Sequence, residues 1–483
     1  MKLDDELKQI SMLRSMEAAL SWDQETYMPA AAVAQRAKQL AYLTGKAHEF
    51  STSPRFGQLL DGAANEGFSE ADVRELRFHY ERATKLPQEL VERDSETSSL
   101  AKAAWAEARV KDDFSLFAPH LEKLLVLARE KADLWGYDDE PYDALLAGYE
   151  RAATTKEVAT LFGSIEKDLA MVAAAAVENT RTVPAGLLRG PAPVATQQTL
   201  NREVAESLGF DFSSGRIDTT THPFCTTLGP DDVRLTTRYD ENDFMSSLFG
   251  VMHEVGHGLY EQGLPSAKHH LPSGQAISLG IHESQSRLWE NHVGRSRVFW
   301  EKWLPRAQEL FPHLQKLSLD EVLAAVNRAS YSFLRVEADE ATYDLHILLR
   351  FQLERRLLRG ELSVAEVPAA WNDAFSKLFG MTPPTDREGC LQDIHWSMGG
   401  LGYFPTYTLG NLNAAQLFET ALTDEKVATA FSQGDFIPLL DWMRENIHAH
   451  GSTFHPQELM QKVTGSVSSP KAHLQHLRTR FLT

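Results

Sequence analysis

Apolar residues recur at helical spacing along most of this chain, which predicts a mainly α protein built of long amphipathic helices. Residues 1–67 read as two helices around a break at Met28-Pro29, where proline and its restricted predecessor cannot continue a helix. Segments 70–85, 88–110 and 116–135 extend the pattern, with Ala and Leu abundant and Glu, Lys and Arg on the outer faces. No convincing internal repeat is present. The clearest interruption is 182–198, where Pro184, Gly186, Gly190, Pro191 and Pro193 make a loop between a helical N-terminal region and the rest. One region departs from the helical period. Residues 215–240 are rich in Thr and alternate in places, as from Val233 to Tyr239, and Gly229-Pro230-Asp231 separates two such stretches. This predicts a small hairpin. Its edge strand either pairs with an extended peptide or serves the fold alone, and both readings stand.

Just downstream, Phe244, Leu248, Val251, Met252, Val255 and Leu259 hold helical spacing, with Asn242 or Asp243 as the cap and Gly263 with Pro265 as the stop. Inside this predicted helix lies His253-Glu254-Val255-Gly256-His257. Two histidines four residues apart share one face, one turn apart, so both imidazoles can reach one metal ion. A Glu beside the first can hold and deprotonate a metal-bound water. The pattern points to water attacking a peptide carbonyl; the alternative is a buried helix with two satisfied core histidines. Such a site needs a third protein ligand and an open fourth position. Glu283 is the best candidate, on a second helical pattern that continues through Leu288, Trp289 and His292. Residues 264–278, with Pro265, Pro272, Ser273 and Gly274, read as the turn between antiparallel helices. His282 competes with Glu283. Neighbours on a helix face about 100° apart, so one of the two points at the metal, and periodicity does not choose.

The length of 483 residues suits one large unit or two to three ordinary domains. A hydrophobic content of 43% with 24% charged residues is that of a soluble globular protein. The net charge of -19 argues against nucleic acid or anionic membrane as a partner. Cys225 and Cys390 are the only cysteines, which excludes a disulfide framework and fits a reducing compartment. The start, Met1-Lys2-Leu3-Asp4-Asp5-Glu6, lacks the features of a signal peptide, and no apolar run approaches a membrane span. The expected location is the cytoplasm.

Several separated elements, in order and nearly end to end, resemble the signatures of the carboxypeptidase Taq family of thermostable metallocarboxypeptidases. Leu20 to Pro29 looks like the family's opening signature, His222-Pro223-Phe224 matches H-P-F, and Asp232 to Thr236 matches D-x-R-x-T. His253 to His257 is the metal helix, and His282-Glu283-Ser284-Gln285 matches H-E-S-(G/Q). Leu334 to Asp339 resembles I-(R/A)-x-x-A-D with a volume-conserving Leu for Ile, and Gly389 to Trp396 matches G-x-x-Q-D-x-H-W. The resemblance implies an almost all-helical fold with a deep active-site groove, a small sheet beside the active site, and a homodimer. It implies Glu283 as third metal ligand, and removal of single residues from peptides with a free C-terminus, with broad side-chain tolerance and poor action on proline. One divalent ion per subunit is expected. Two His and a carboxylate suit zinc, with cobalt and manganese as alternatives set by availability. The chain is then a single metallocarboxypeptidase unit over 1–483, with a helical N-terminal region over 1–181, the loop over 182–198 and a catalytic region over 199–483.

Within that reading Glu254 is the general base and carries the proton to the leaving amine. The tetrahedral oxyanion needs further donors. His395, Tyr403 and Tyr407 are the candidates, in a glycine-containing segment similar to the His-and-Tyr segment of related helical oligopeptidases; core filling is the alternative for the tyrosines. An exopeptidase must also recognise a carboxylate, which Arg does bidentately. Arg335, expected in a helix over 332–349, is first choice and Arg234 second, with His222 also counted as substrate-binding. Either arginine could instead pair with Asp339 or Asp232. Asp339 and Asp393 are candidates to orient a metal-bound His, or ordinary capping and ion-pairing residues. The rival functions are an oligopeptidase cleaving internal bonds and a catalytically inactive helical binding scaffold.

Overall fold

The computed structural model describes residues 2–482, so positions 1 and 483 of the expected segments lie outside the described residues. The break at Met28-Pro29 is present, flanked by helices Leu3–Thr26 and Val33–Thr52. The second expected helix is divided. At Ser53 the hydroxyl accepts the Phe56 N–H at 3.1 Å, and Pro54 opens a new helix, Pro54–Gly62. Proline at a first helical position needs no N–H partner, so the apolar rhythm resumes there with buried Phe56 and Leu60. Helices Glu70–Thr84, Gln88–Lys111 and Ala118–Trp135 follow as expected. The 182–198 loop is shorter than expected, because helix Val194–Ser207 starts directly after Pro193. Among the described residues no helix is long and apolar enough to cross a membrane.

The chain forms two compact units. One takes the described residues up to Ala83, then Ala185–Val326 and Asn413–Val467; the other takes Thr84–Pro184, Asn327–Leu412 and the described residues from Ser468. Each has its own apolar core. Phe210, Leu235, Phe244, Met252, Val255, Leu259 and Trp289 belong to that of the first. Tyr142, Phe162, Leu348, Phe351, Trp371 and Phe375 belong to that of the second. Burying each such side chain contributes roughly 1.5–3 kcal/mol.

The predicted hairpin is real and belongs to a three-stranded sheet. Strand β1 (Gly215–Thr219) runs parallel to β3 (Asp232–Thr237), and β2 (Cys225–Gly229) pairs antiparallel with β3, giving the order β1-β3-β2. The Gly229-Pro230-Asp231 turn places Asp231 at a left-handed φ of 63°. Alternation along β3 sends Val233 and Leu235 into the first core.

The continuous helix expected over 332–349 is absent. Arg335–Glu337 is a single 3₁₀ turn, and the helix proper is Tyr343–Leu358. The reason is Asp339, whose carboxylate accepts the Ser330 N–H at 2.7 Å and the Ala341 N–H at 3.0 Å. Side-chain bonds of this kind offer the backbone an alternative to helix.

The second core also encloses a carboxyl. Glu354 accepts hydrogen bonds from the Tyr142 hydroxyl (2.8 Å), the Trp396 indole N–H (2.8 Å) and the Gly402 N–H (3.2 Å). Burial nevertheless pushes its pKa up from 4.5 to about 7. Between these values the folded state holds a proton that the unfolded chain has lost, so this group's contribution to stability falls as pH rises through the window. The expected outcome is a change in relative stability between wild type and Glu354→Gln. Thermal unfolding at pH 5 and pH 8 should move against wild type by about 2–3 kcal/mol as pH rises. Parallel pH profiles would contradict it.

Candidate metal centre

The helix Phe244–Gly263 begins where Asp243, rather than Asn242, caps it by accepting the Ser246 N–H at 3.3 Å. The next helix, Leu279–Arg287, begins at Ser278, whose hydroxyl accepts the Ile281 N–H at 3.1 Å. Two glycines let the first helix pack unusually close to its neighbours. A Cβ on Gly256 would lie 2.5 Å from Ser286 Cα and 2.6 Å from the Gln285 carbonyl oxygen. A Cβ on Gly258 would lie 2.7 Å from the Phe210 ring and 2.9 Å from Leu235 of β3. The helix is thereby held between the sheet and the second helix.

That packing brings the Glu283 carboxylate to the Nε2 side of His253 and His257, while the His282 ring meets His257 at Nδ1. Glu283 Oε2 lies 3.8 Å from His253 Nε2 and 3.6 Å from His257 Nε2, and the three donor atoms fall within 4.8 Å of one another. Two bonds of about 2.1 Å at about 120° span about 3.6 Å, so the set fits one ion of the zinc type. The far ends of all three side chains are held. His253 Nδ1 is 2.9 Å from Glu290 Oε2, and His257 Nδ1 is 3.1 Å from the His282 carbonyl oxygen. Arg287 donates to Glu283 Oε1 at 2.6 Å, and the Ser286 hydroxyl donates to Oε2 at 3.1 Å. Glu290 also meets Arg287 at 3.3 Å and Arg295 at 3.5 Å. The carboxyl groups of Glu254, Glu261, Glu283 and Glu290 thus outnumber the guanidinium groups of Arg287 and Arg295, a surplus that a divalent cation would balance.

Burial would lower the His253 pKa, but Glu283 and Glu290 outweigh it and raise the group to about 9. Burial, with His282 and His253, holds His257 well below its usual value. Glu290 would be raised by burial, yet Arg287 and His253 bring it to about 2. Glu254 behaves oppositely: burial dominates and lifts it to about 7, although His253 opposes.

The other predicted residues divide between the units. In the first, His222 is exposed in the bend between β1 and β2. Arg234 forms a bidentate pair with Asp232 (2.8 and 2.9 Å) and lies 4.2 Å above the Trp22 ring. In the second, Arg335 is buried, and its partner is Asp393 rather than Asp339: it donates to Oδ1 at 3.0 and 2.8 Å, and to the Tyr343 hydroxyl at 2.8 Å. Arg350 donates to the other oxygen of Asp393 at 2.7 Å. His395 Nε2 lies 3.3 Å from the Tyr407 hydroxyl, and its ring meets that of Tyr403 edge-on at 5.1 Å. Burial brings His395 down to about 4 against the pull of Asp393.

Two expectations are corrected. Asp339 caps backbone and Asp393 is paired with two arginines, so it is Glu290 and the His282 carbonyl that meet the Nδ1 atoms of His253 and His257. Glu290, Arg287 and Glu261 also lie at this centre, outside the residues that the motifs single out. The signal was a charged stripe at 283, 287 and 290 between apolar Ile281, Leu288 and Trp289, and an acid one turn beyond His257. Both cysteines are free, and burial raises both thiols above their usual range, which suits the absence of a nucleophilic role.

A helical fold that sets an H-E-x-x-H helix against a carboxylate from the following helix belongs to the metallopeptidase class. The family model described as carboxypeptidase Taq (M32) metallopeptidase matches residues 2–481. Thermostable carboxypeptidase 1 of Thermus thermophilus is 41% identical over 491 residues, covering 98% of this chain and 96% of that protein. Carboxypeptidase 1 of Bacillus subtilis is 36% identical over 485 residues, covering 99% and 97%. The crystal structure of the M32 carboxypeptidase from Deinococcus radiodurans R1 superposes with a TM-score of 0.95 at 36% identity, covering 99% of this chain and 98% of that one. The chain belongs to the carboxypeptidase Taq (M32) family and is a metal-dependent carboxypeptidase, a hydrolase acting on peptides.

Gly256 gives the sharpest test of the packing. Gly256→Ala should force the two helices apart, costing about 1–3 kcal/mol of stability, and should weaken zinc binding by displacing Glu283. Differential scanning calorimetry with a zinc titration of the apoprotein checks both. Unchanged values for both would mean that the close approach is not required.

Proposed function

We propose that His253, His257 and Glu283 hold one divalent ion, zinc in the first instance, and that Glu254 is the general base for removal of single C-terminal residues. The observation that carries this is the convergence of three donor atoms whose far ends are already held. A cation bound there would acidify water and polarise the scissile carbonyl. Glu254 lies on the same helical turn as His253, and its raised pKa of about 7 suits a group that takes a proton from attacking water and returns it to the leaving amine.

For the oxyanion, His395, Tyr403 and Tyr407 are our donors, and the lowered pKa of His395 favours a neutral ring that retains one N–H. Arg335 is our choice for the substrate carboxylate over Arg234. Arg335 and Arg350 share one carboxylate, Asp393, so the cluster has positive charge to spare, whereas Arg234 is matched one-to-one by Asp232. His222 is kept as a substrate contact because it is exposed within the H-P-F element. Broad side-chain tolerance, weak action on proline and a homodimer rest on the family resemblance. The two free cysteines accord with a cytoplasmic location.

Two measurements test the reading. Glu254→Gln should retain zinc and lose roughly 10²–10⁴-fold in hydrolysis of a small peptide. Amidating the peptide's C-terminus should abolish cleavage by the wild type. A fully active Glu254→Gln variant would overturn the base, and undiminished cleavage of the amide would favour internal-bond hydrolysis.

A further inference from the structure

We propose that Glu261 acts on the metal centre through His282, a two-link hydrogen-bond relay that fixes His257 as an Nε2 donor. The proposal rests on the metal-centre reading above and extends it to two residues outside the donor set. Glu261 lies one turn beyond His257 on the same helix face, and His282 immediately precedes Glu283 on the next helix. Glu261 Oε1 is 2.8 Å from His282 Nε2, and His282 Nδ1 is 2.6 Å from His257 Nδ1.

A contact between two ring nitrogens at that distance needs one proton, donated by one ring and accepted by the other. The carboxylate and a carbonyl decide the direction. The carboxylate can only accept, so a proton of His282 sits on Nε2. The His282 carbonyl beside His257 Nδ1 can also only accept, so the Nδ1 proton belongs to His257 and His282 meets it with the lone pair of its own Nδ1. His257 then donates from its own Nδ1, either to that lone pair or to the His282 carbonyl at 3.1 Å. Either way the lone pair of His257 is on Nε2, the atom that faces Glu283. The second oxygen of Glu261 accepts the Thr227 hydroxyl at 2.8 Å, which ties the relay to β2. His253 is backed by Glu290 in one step, and His257 is backed by Glu261 in two. A carboxylate behind a ligating imidazole orients the ring and strengthens it as a donor. Glu261 and His282 are therefore positioning residues.

The test is zinc affinity of the apoprotein, measured by competition with a chromophoric chelator, for Glu261→Gln, His282→Phe and the double variant, with folding followed by circular dichroism. Each single variant should bind zinc about 10–100-fold more weakly. The double should bind no more weakly than His282→Phe alone, because Glu261 acts only through that ring. Affinities within twofold of wild type, or losses that multiply in the double, would overturn the relay. Should His282→Phe fail to fold, His282→Asn replaces it in the same cycle. His257→Ala separates the two levels of inference: if removing that imidazole leaves zinc affinity unchanged, the metal-centre reading fails and not merely the relay.

Discussion

The candidate metal centre depends on a backbone contact. At Gly256 the H-E-x-x-H helix touches the main chain at Gln285 and Ser286, closer than any side chain would allow. Glu283 is three residues before Ser286, nearly one turn back on the same helix, so this contact fixes how far its carboxylate stands from His253 and His257. Gly258 does the same toward the sheet, where the ring of Phe210 and Leu235 press on the helix. Interiors packed this tightly transmit displacement rather than absorb it. The donor distances are therefore set by helix packing, not by the donors.

Charge is the second constraint. Burying a carboxylate is costly unless it is paired, and this centre buries several within one helix pair. At Glu290 the guanidinium of Arg287 and the His253 ring overcome burial, and at Glu261 the bond to His282 does so. At Glu254 burial prevails. One rule of solvation, applied to three neighbouring acids with different partners, yields two fixed anions and one group able to exchange its proton near neutrality. This division of labour supports Glu254 as the base more strongly than its place in the pentapeptide alone.

What was legible in the sequence was local. Helical period, a cap at Asn242 or Asp243 and the histidine spacing are properties of adjacent residues, and they reappear in the structure, with Asp243 as the cap. The break at Met28-Pro29 was legible because proline forbids continuation, while the one at Ser53-Pro54 was hidden because proline there starts a helix without disturbing the apolar rhythm. What escaped was non-local. The parallel pairing of β1 with β3 joins residues far apart in the chain, such as Gly215 and Val233. The choice between Glu283 and His282 depends on the rotation of one helix against another. A π-helical turn from Leu288 to Val293 carries Glu290, a register that an assumed 3.6-residue period does not describe.

Chemistry and specificity consequently have different roots in this chain. The proposed hydrolytic apparatus starts from a motif whose residues lie within about one helical turn. The proposed recognition of a chain end rests on a charge balance that no short motif displays. Asp393 is held far below the usual carboxylate range because two arginines, Arg335 and Arg350, outweigh the cost of burying it. Its single negative charge is shared between both. The two arginines differ. At Arg350 burial lowers the pKa, Asp393 pulls it up and Arg335 pushes it down again, leaving it below the usual value. At Arg335 burial is outweighed by the pull of Asp393, Tyr343 and Tyr407. A buried excess of positive charge destabilises a fold unless something compensates it. A substrate carboxylate is an anion of the right sign and planar shape to do so at Arg335, and an internal peptide bond is not. The proposed preference for a free C-terminus thus rests on one carboxylate shared by two arginines rather than on the shape of a pocket.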